Sequence, residues 1–276
     1  MSWVKSIAIK TNDEIVSIDG KTLRRSRSGE TSAIHMVSAW ANKNRLVLGQ
    51  VKTEEKSNEI RAIPTLLDLL DLKGCIVTID AMGCQKEIAA RIIKQEADYV
   101  FGLKGNQTSL NDDVRLYFET ETIDNKKTTH DKGHGRYERR EYTLETNIEW
   151  LFQRSGWCGL QAIGKVKSTV EEKGKTTEET RYFITSLTDI DKFAKSVRGH
   201  WGIENSLHYC LDVTFNEDAN RTRKDNSTEN FAVVRHIALN VLKNFPTAQK
   251  MSLARKRRKC QYDADFMADV LISTVL

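Results

Sequence analysis

The chain predicts an α/β protein, a mixed sheet flanked by helices and interrupted by a β-rich insertion. Three observations predict it. Short apolar runs rich in β-branched residues alternate with stretches of helical periodicity in the N-terminal part. A polar segment from about 126 to 186, rich in Gly, Thr, Glu and Lys, carries strand-like stretches. Helical patterning then returns near Asp191.

In order, residues 14–19, 33–40 and 45–53 read as three strands, the last two joined by the turn Asn42-Lys43-Asn44, which makes an antiparallel meander. Residues 59–72 read as a helix, with Pro64 in or near its first turn, an apolar set of Leu66, Leu67, Leu69 and Leu70, and Gly74 as its stop. A strand at 75–80 follows. Residues 85–96 place Ile88, Ala89, Ile92 and Ile93 on one helical face, and 98–104 reads as another strand. The order βββαβαβ is the plan of ribonuclease-H-like domains, in which the first strand pairs with the crossover strand. A further helix is expected over 109–121, and strands near 139–146, 161–170 and 180–186. The expected organisation is therefore 1–125 as the first part of a ribonuclease-H-like core, 126–188 as the β-rich insertion, 189–245 as the helical second part of the core, and 246–276 as a basic C-terminal tail.

Composition narrows the function classes. At 276 residues with 39% hydrophobic and 29% charged residues, the chain can bury a full core and reads as a globular, cytoplasmic protein. No apolar run approaches membrane-spanning length, and MSWVKSIAIK lacks a signal-peptide core. Five scattered cysteines without a CxxC pair argue against a disulfide framework or a structural zinc. The net charge of +5 concentrates in Lys250 to Lys259, either a solvated, frayed end or a phosphate contact.

Asp19 in VSIDGK and Asp80 in IVTIDAMG each close a buried strand-like run, and Glu204 in HWGIENSLH stands on a helix. Singly, Asp before Gly is ordinary turn chemistry and a helical Glu is ordinarily solvated. Jointly, they are the oxygen donors that two magnesium or manganese ions need, about 3.5 to 4 Å apart, in phosphodiester chemistry. Strands about 4.8 Å apart would bring the first two carboxylates together. His200, Glu204, His208 and Asp212, spaced by four, would share one helical face. His200 and His208 then read as phosphate or metal-supporting contacts, or as surface or capping histidines; HExxH is absent. Asp212 reads as a fourth acid or a helix terminus. In Gly133-His134-Gly135-Arg136-Tyr137-Glu138-Arg139-Arg140, alternation puts Arg136, Glu138 and Arg140 on one face. This is either phosphate recognition by guanidinium forks or a salt-bridged exposed strand. Lys104 ends a strand near the presumed metals, either holding the scissile phosphate or capping a loop. Arg221, Arg223 and Lys224 are similar candidates. Gly20-Lys21-Thr22 is similar to the end of a P-loop, but that pattern requires Gly where Ile15 stands.

The segments SIDGKTLR, KSNEIRAIPTLLDLLDLKGCIVTIDAMGCQ, ADYVFGLKGNQ, GHGRYERR and HWGIENSLHYCLDVTFNEDANRTR together resemble the DDE transposases of bacterial insertion sequences, specifically the H-repeat-associated branch. The resemblance covers about 15–245. It implies a ribonuclease-H-like catalytic domain with a β insertion and magnesium-dependent DNA cleavage and joining. By position Asp19, Asp80 and Glu204 match the triad, and His200-Trp201 matches a His-Trp pair of this branch, to which a supporting part is assigned. His134 falls within a motif carrying the resemblance and is a candidate DNA contact. The chain departs from related transposases in offering Val197, His200 and Leu211 where a tyrosine, an arginine and a lysine surround the glutamate. It also lacks their helical N-terminal region, and so looks truncated. The expected partner is double-stranded DNA, bound by a homodimer or higher assembly near the nucleoid. The alternatives are a catalytically silent DNA-binding relic and a nuclease that cuts without joining.

Overall fold

The computed structural model describes residues 12–27, 33–53, 59–133 and 135–273, and nine strands fall among them. They belong to two compact units, one formed by 16–70 with 201 onward, the other by 12–15 with 71–200.

In the first unit β1 (Ile15–Thr22), β2 (His35–Ala41) and β3 (Leu46–Thr53) form the meander, with Val16 opposite Ala41 and Thr22 opposite His35. Every residue of β2 is buried, because helices cover it as well as its neighbours. α1 (Glu59–Asp68) buries Ala62, Ile63, Leu66 and Leu67, leaving Leu69 exposed beyond its end. Pro64 lies inside α1 rather than in its first described turn, and costs the ladder one N–H. The unit is completed by a π turn at Glu204–His208, α5 (Tyr209–Val213), α6 (Ser227–Asn244), α7 (Leu253–Tyr262) and α8 (Ala264–Ile272). Ile203, Leu207, Leu211 and Leu239 pack with Trp40 and Val47. On α6, Asn240 answers both backbone groups of Val47, accepting its N–H at 2.8 Å and donating to its carbonyl at 2.9 Å.

The basic run is not a frayed tail among the described residues. α8 packs Phe266 and Val270 on Val241 and Leu242 of α6, and Lys256 buries its chain to donate to the carbonyls of Leu242 and Phe245. Within the basic run Lys256 is buried and Arg257 and Lys259 are partly covered while Arg255 and Arg258 stay exposed, a division that the charge pattern alone concealed.

In the second unit β4 (Ile76–Ile79) runs parallel to β5 (Asp98–Leu103), connected through α2 (Lys86–Lys94). α2 buries Ile88, Ala89 and Ile92. β5 pairs antiparallel with β9 (Lys175–Thr185), which continues the sheet through β8 (Ala162–Glu172), β7 (Arg136–Glu145) and β6 (Lys126–Gly133). The sheet of this unit is thus mixed, and α3 (Thr108–Thr120) follows β5. β6 is a strand that the sequence pattern missed: KKTTHDKG offers no apolar alternation and is almost wholly exposed, held by its ladder to β7. α4 (Ile190–Ile203) places Phe193, Ala194 and Val197 against Tyr142, Leu144, Ala162, Val166 and Phe183. Gly164 on β8 makes that possible, since a Cβ there would stand 2.3 Å from Phe193 Cζ.

The fold is of the mixed α/β class expected, with helices flanking the sheet and the βββαβαβ order of a ribonuclease-H-like domain intact. No described helix is long and apolar enough to cross a membrane.

Candidate active site

In the first unit, Val16 to Ile18 are buried and Asp19 is the first residue of β1 to reach solvent, with 22% of its side chain exposed; it does not close the strand as expected, because the ladder to β2 continues through Gly20, Lys21 and Thr22. Gly20 has a steric reason: a Cβ there would meet His35 Nε2 at 2.2 Å and Glu59 Oε1 at 2.5 Å. Those two atoms lie 2.5 Å apart in the buried interior, and His35 Nδ1 is 2.9 Å from Thr22 Oγ1. Lys21, only 10% exposed, reaches Asp212 at 2.8 Å, Asp218 at 2.9 Å and Glu217 at 3.5 Å. Burial alone would lower its pKa, yet the hydrogen bonds to Asp212 and Asp218 outweigh it and the net shift is upward. Glu217 is buried, which raises its carboxyl pKa against the pull of Lys21.

The expected single stripe of His200, Glu204, His208 and Asp212 does not form. The backbone is α-helical to Ile203, widens into one π turn closed by Tyr209 N–H on the Glu204 carbonyl, and returns to α at Tyr209. Such single π turns are uncommon and concentrate at functional sites. Within this turn Glu204 is exposed, while His208 turns inward, its Nδ1 3.6 Å from Asp19 Oδ2. Burial pushes His208 down to about 4, helped by Lys21 and His35, so the ring is neutral at pH 7. Asp212, near the end of α5, is the partner of Lys21. Trp201 is 39% exposed, and Arg221, Arg223 and Lys224 are all exposed; Arg223 Nε donates to the Arg25 carbonyl at 3.2 Å.

In the second unit, β4 is buried throughout and Asp80 is the first exposed residue after it. Its Oδ1 accepts the Met82 N–H at 3.1 Å, capping a short 3-10 turn at Ala81–Gly83. Gly102 on β5 lets this turn lie close, because a Cβ would come 3.2 Å from Ala81 N. The loop after β5 clamps the same turn: Asn106 Nδ2 donates to Ala81 O at 2.6 Å and Gln107 Nε2 to Cys84 O at 2.9 Å. Lys104 is exposed at the head of that loop. The clamping roles of Asn106 and Gln107 were not readable from sequence; their only signal was their place directly after Lys104. His200 Nδ1 is 3.0 Å from Thr78 Oγ1, and burial lowers its pKa while the charge of Asp80 opposes the shift.

On the β6–β7 hairpin, Arg136 and Arg140 share Glu138, at 3.1 and 2.5 Å, and Arg140 also holds Asp131 at 2.6 Å. Arg136, Glu138 and Arg140 therefore lie on one face as the alternation predicts, in a salt-bridged strand. Arg140, 11% exposed, is enclosed by its acids; Arg136 is half exposed. His134 lies outside the described residues.

Asp19 and Glu204 thus belong to the first unit and Asp80 to the second. All three offer carboxylate oxygens, which suit a hard divalent cation. Among the described residues no three His, Cys, Asp or Glu side chains are gathered in a way that could hold one.

The family profile described as "Transposase DDE domain" matches residues 10–241. The chain belongs to the DDE transposase family. Two curated proteins of Escherichia coli K12 are each 41% identical over the full length of this transposase, which covers 76% of each: "Putative protein YbfL" and "H repeat-associated putative transposase YhhI". A solved structure, the piggyBac transposase synaptic complex with hairpin DNA, aligns over 96% of this transposase and 52% of that chain, at 8% identity and a TM-score of 0.48. That likeness is too distant to carry a functional argument.

Proposed function

We propose that this transposase cleaves and joins double-stranded DNA at the ends of an insertion sequence, with Asp19, Asp80 and Glu204 as its triad. The observation that carries the reading is the contact between His208, on the π turn that also bears Glu204, and Asp19 where β1 first reaches solvent. Two of the three acids are thereby tied to one locality, and the third, like the first, directly follows four buried strand residues. The carboxylates would hold one or two Mg²⁺ or Mn²⁺ ions, which when bound supply charge neutralisation at the attacking and leaving oxygens of an in-line displacement.

Water attacks the phosphodiester at an element end, and the freed 3′ hydroxyl then attacks target DNA in the same site, without a covalent enzyme intermediate. Neutral His208 orients the Asp19 carboxylate without neutralising it, and His200 supports the strand behind Asp80. Lys104, Arg136, Arg221, Arg223, Lys224 and Trp201 serve DNA contact; Arg140 does so only by exchanging its acids for phosphate. Pairing two element ends calls for at least a dimer. Asp80→Ala is expected to abolish Mg²⁺-dependent nicking while DNA retention in a gel shift stays within about threefold, since base and phosphate contacts lie elsewhere. A variant that still nicks removes Asp80 from the triad.

A second reading is a DNA-binding relic without catalysis. It predicts gel-shift binding by the wild type with no metal-dependent cleavage. A strand-transfer assay separates a joining enzyme from a nuclease that only cuts.

A further inference from the structure

Within the first unit, the turn carrying Arg24 and Arg25 borders an open cleft of about 330 Å³ lined by Arg24, Arg25, Asp212, Asn216, Asp218 and Ala219. Arg24 is 82% exposed and meets Asp218 at 3.4 Å, its one acid partner among the described residues. An exposed pair of that length contributes little, so its guanidinium exchanges partners readily. Arg25 is exposed too, and its carbonyl accepts from Arg223 Nε, which ties the basic loop 221–224 to the same turn.

The two carboxylates in the cleft are answered from below. Lys21, nearly buried, holds Asp212 at 2.8 Å and Asp218 at 2.9 Å. The one buried amine offsets one of these carboxylates and Arg24 offsets the other through Asp218, while exposed Arg25 carries a further positive charge at the rim. Lys21 follows Asp19 by two residues on an extended strand, about 7 Å of chain, so both side chains leave the same face of β1.

We propose that this cleft binds the sugar-phosphate backbone of the DNA strand being processed, with the Arg24 and Arg25 guanidiniums on its phosphates. The proposal rests on the transposase reading above and adds a strand path to it. Guanidinium forks match phosphate geometry, and such contacts fix register without reading sequence.

The test is the salt dependence of DNA binding, measured in EDTA so that nicking plays no part. Arg24→Gln combined with Arg25→Gln is expected to lower the slope of log K against log salt by about one to two, and to weaken binding equally on element-end and unrelated duplexes. A charge-matched control, Arg61→Gln with Arg91→Gln, keeps the wild-type slope. An unchanged slope in the first variant, an equal fall in the control, a loss confined to one duplex, or a wild type that does not bind DNA overturns the proposal. A second measurement needs no variant: DNA is expected to slow dicarbonyl modification of Arg24 and Arg25, read by mass spectrometry, relative to Arg61. Equal modification rates with and without DNA also overturn it. The triad reading fails separately, when DNA is bound but never nicked in Mg²⁺.

Discussion

At the scale of single residues, two buried polar groups have measurable consequences. Lys21 is the common partner of Asp212, Glu217 and Asp218, and removing one member of a buried ion cluster leaves uncompensated charge. Lys21→Met should cost about 3–5 kcal/mol of folding stability, read from the urea midpoint. An unchanged midpoint would show that the three acids are hydrated without it. His236, 6% exposed on α6, is pushed down to about 3 by burial, with His208, Lys21 and Arg235 adding to the shift. An unfolded histidine titrates near 6.5. Between these values the unfolded chain binds a proton that the folded one refuses, so stability is full above about pH 6.5 and falls as pH drops toward 3. His236→Gln is expected to flatten that fall in part, His208 retaining its own share, and an identical pH profile would contradict the assignment. Asp19 and Asp80 were legible as the first accessible acids after a buried run because β-branched residues precede each, but only Asp80 follows its strand, β1 running on to Thr22. His208 on Asp19 was not, because its distance depends on a π turn that no residue pattern announces.

At the scale of elements, the sequence is read well wherever one face is apolar. The meander, α2, α3 and the strands β4 and β5 lie within a few residues of expectation, since periodic burial and periodic sequence have the same cause. β6 escaped because ladder hydrogen bonds and cross-strand ion pairs hold it, including Arg140 to Asp131. The pairing between elements is equally exacting where a glycine faces a ring. Gly164→Ala should drive a methyl into Phe193 and lower stability by about 1–3 kcal/mol, seen as a fall in melting temperature. Gly133→Ala, with no atom within 4 Å of its Cβ, is the matched control and should leave the melt unmoved. Equal effects at both glycines would mean that the α4–β8 contact relaxes freely.

At the scale of the whole molecule, metal binding to the folded chain should appear as stability through linkage. Mn²⁺ is expected to raise the unfolding temperature of the wild type, and the rise should shrink in Asp19→Asn and in Asp80→Asn; a shift retained in both would place the ions elsewhere. The amino-acid sequence by itself determined the α/β class, the order of the elements, the three candidate acids and the family resemblance, all of which rest on local pattern or on short motifs read directly from the chain. Only the tertiary structure decided that the basic C-terminal run folds onto α6, that Lys21 pairs with Asp212 and Asp218, and that Asn106 and Gln107 clamp the turn of Asp80. Lys21 is separated from its acids by almost two hundred residues, and hydrogen bonds and ion pairs at that separation leave no periodic trace, because their partners are chosen by where the folded chain returns.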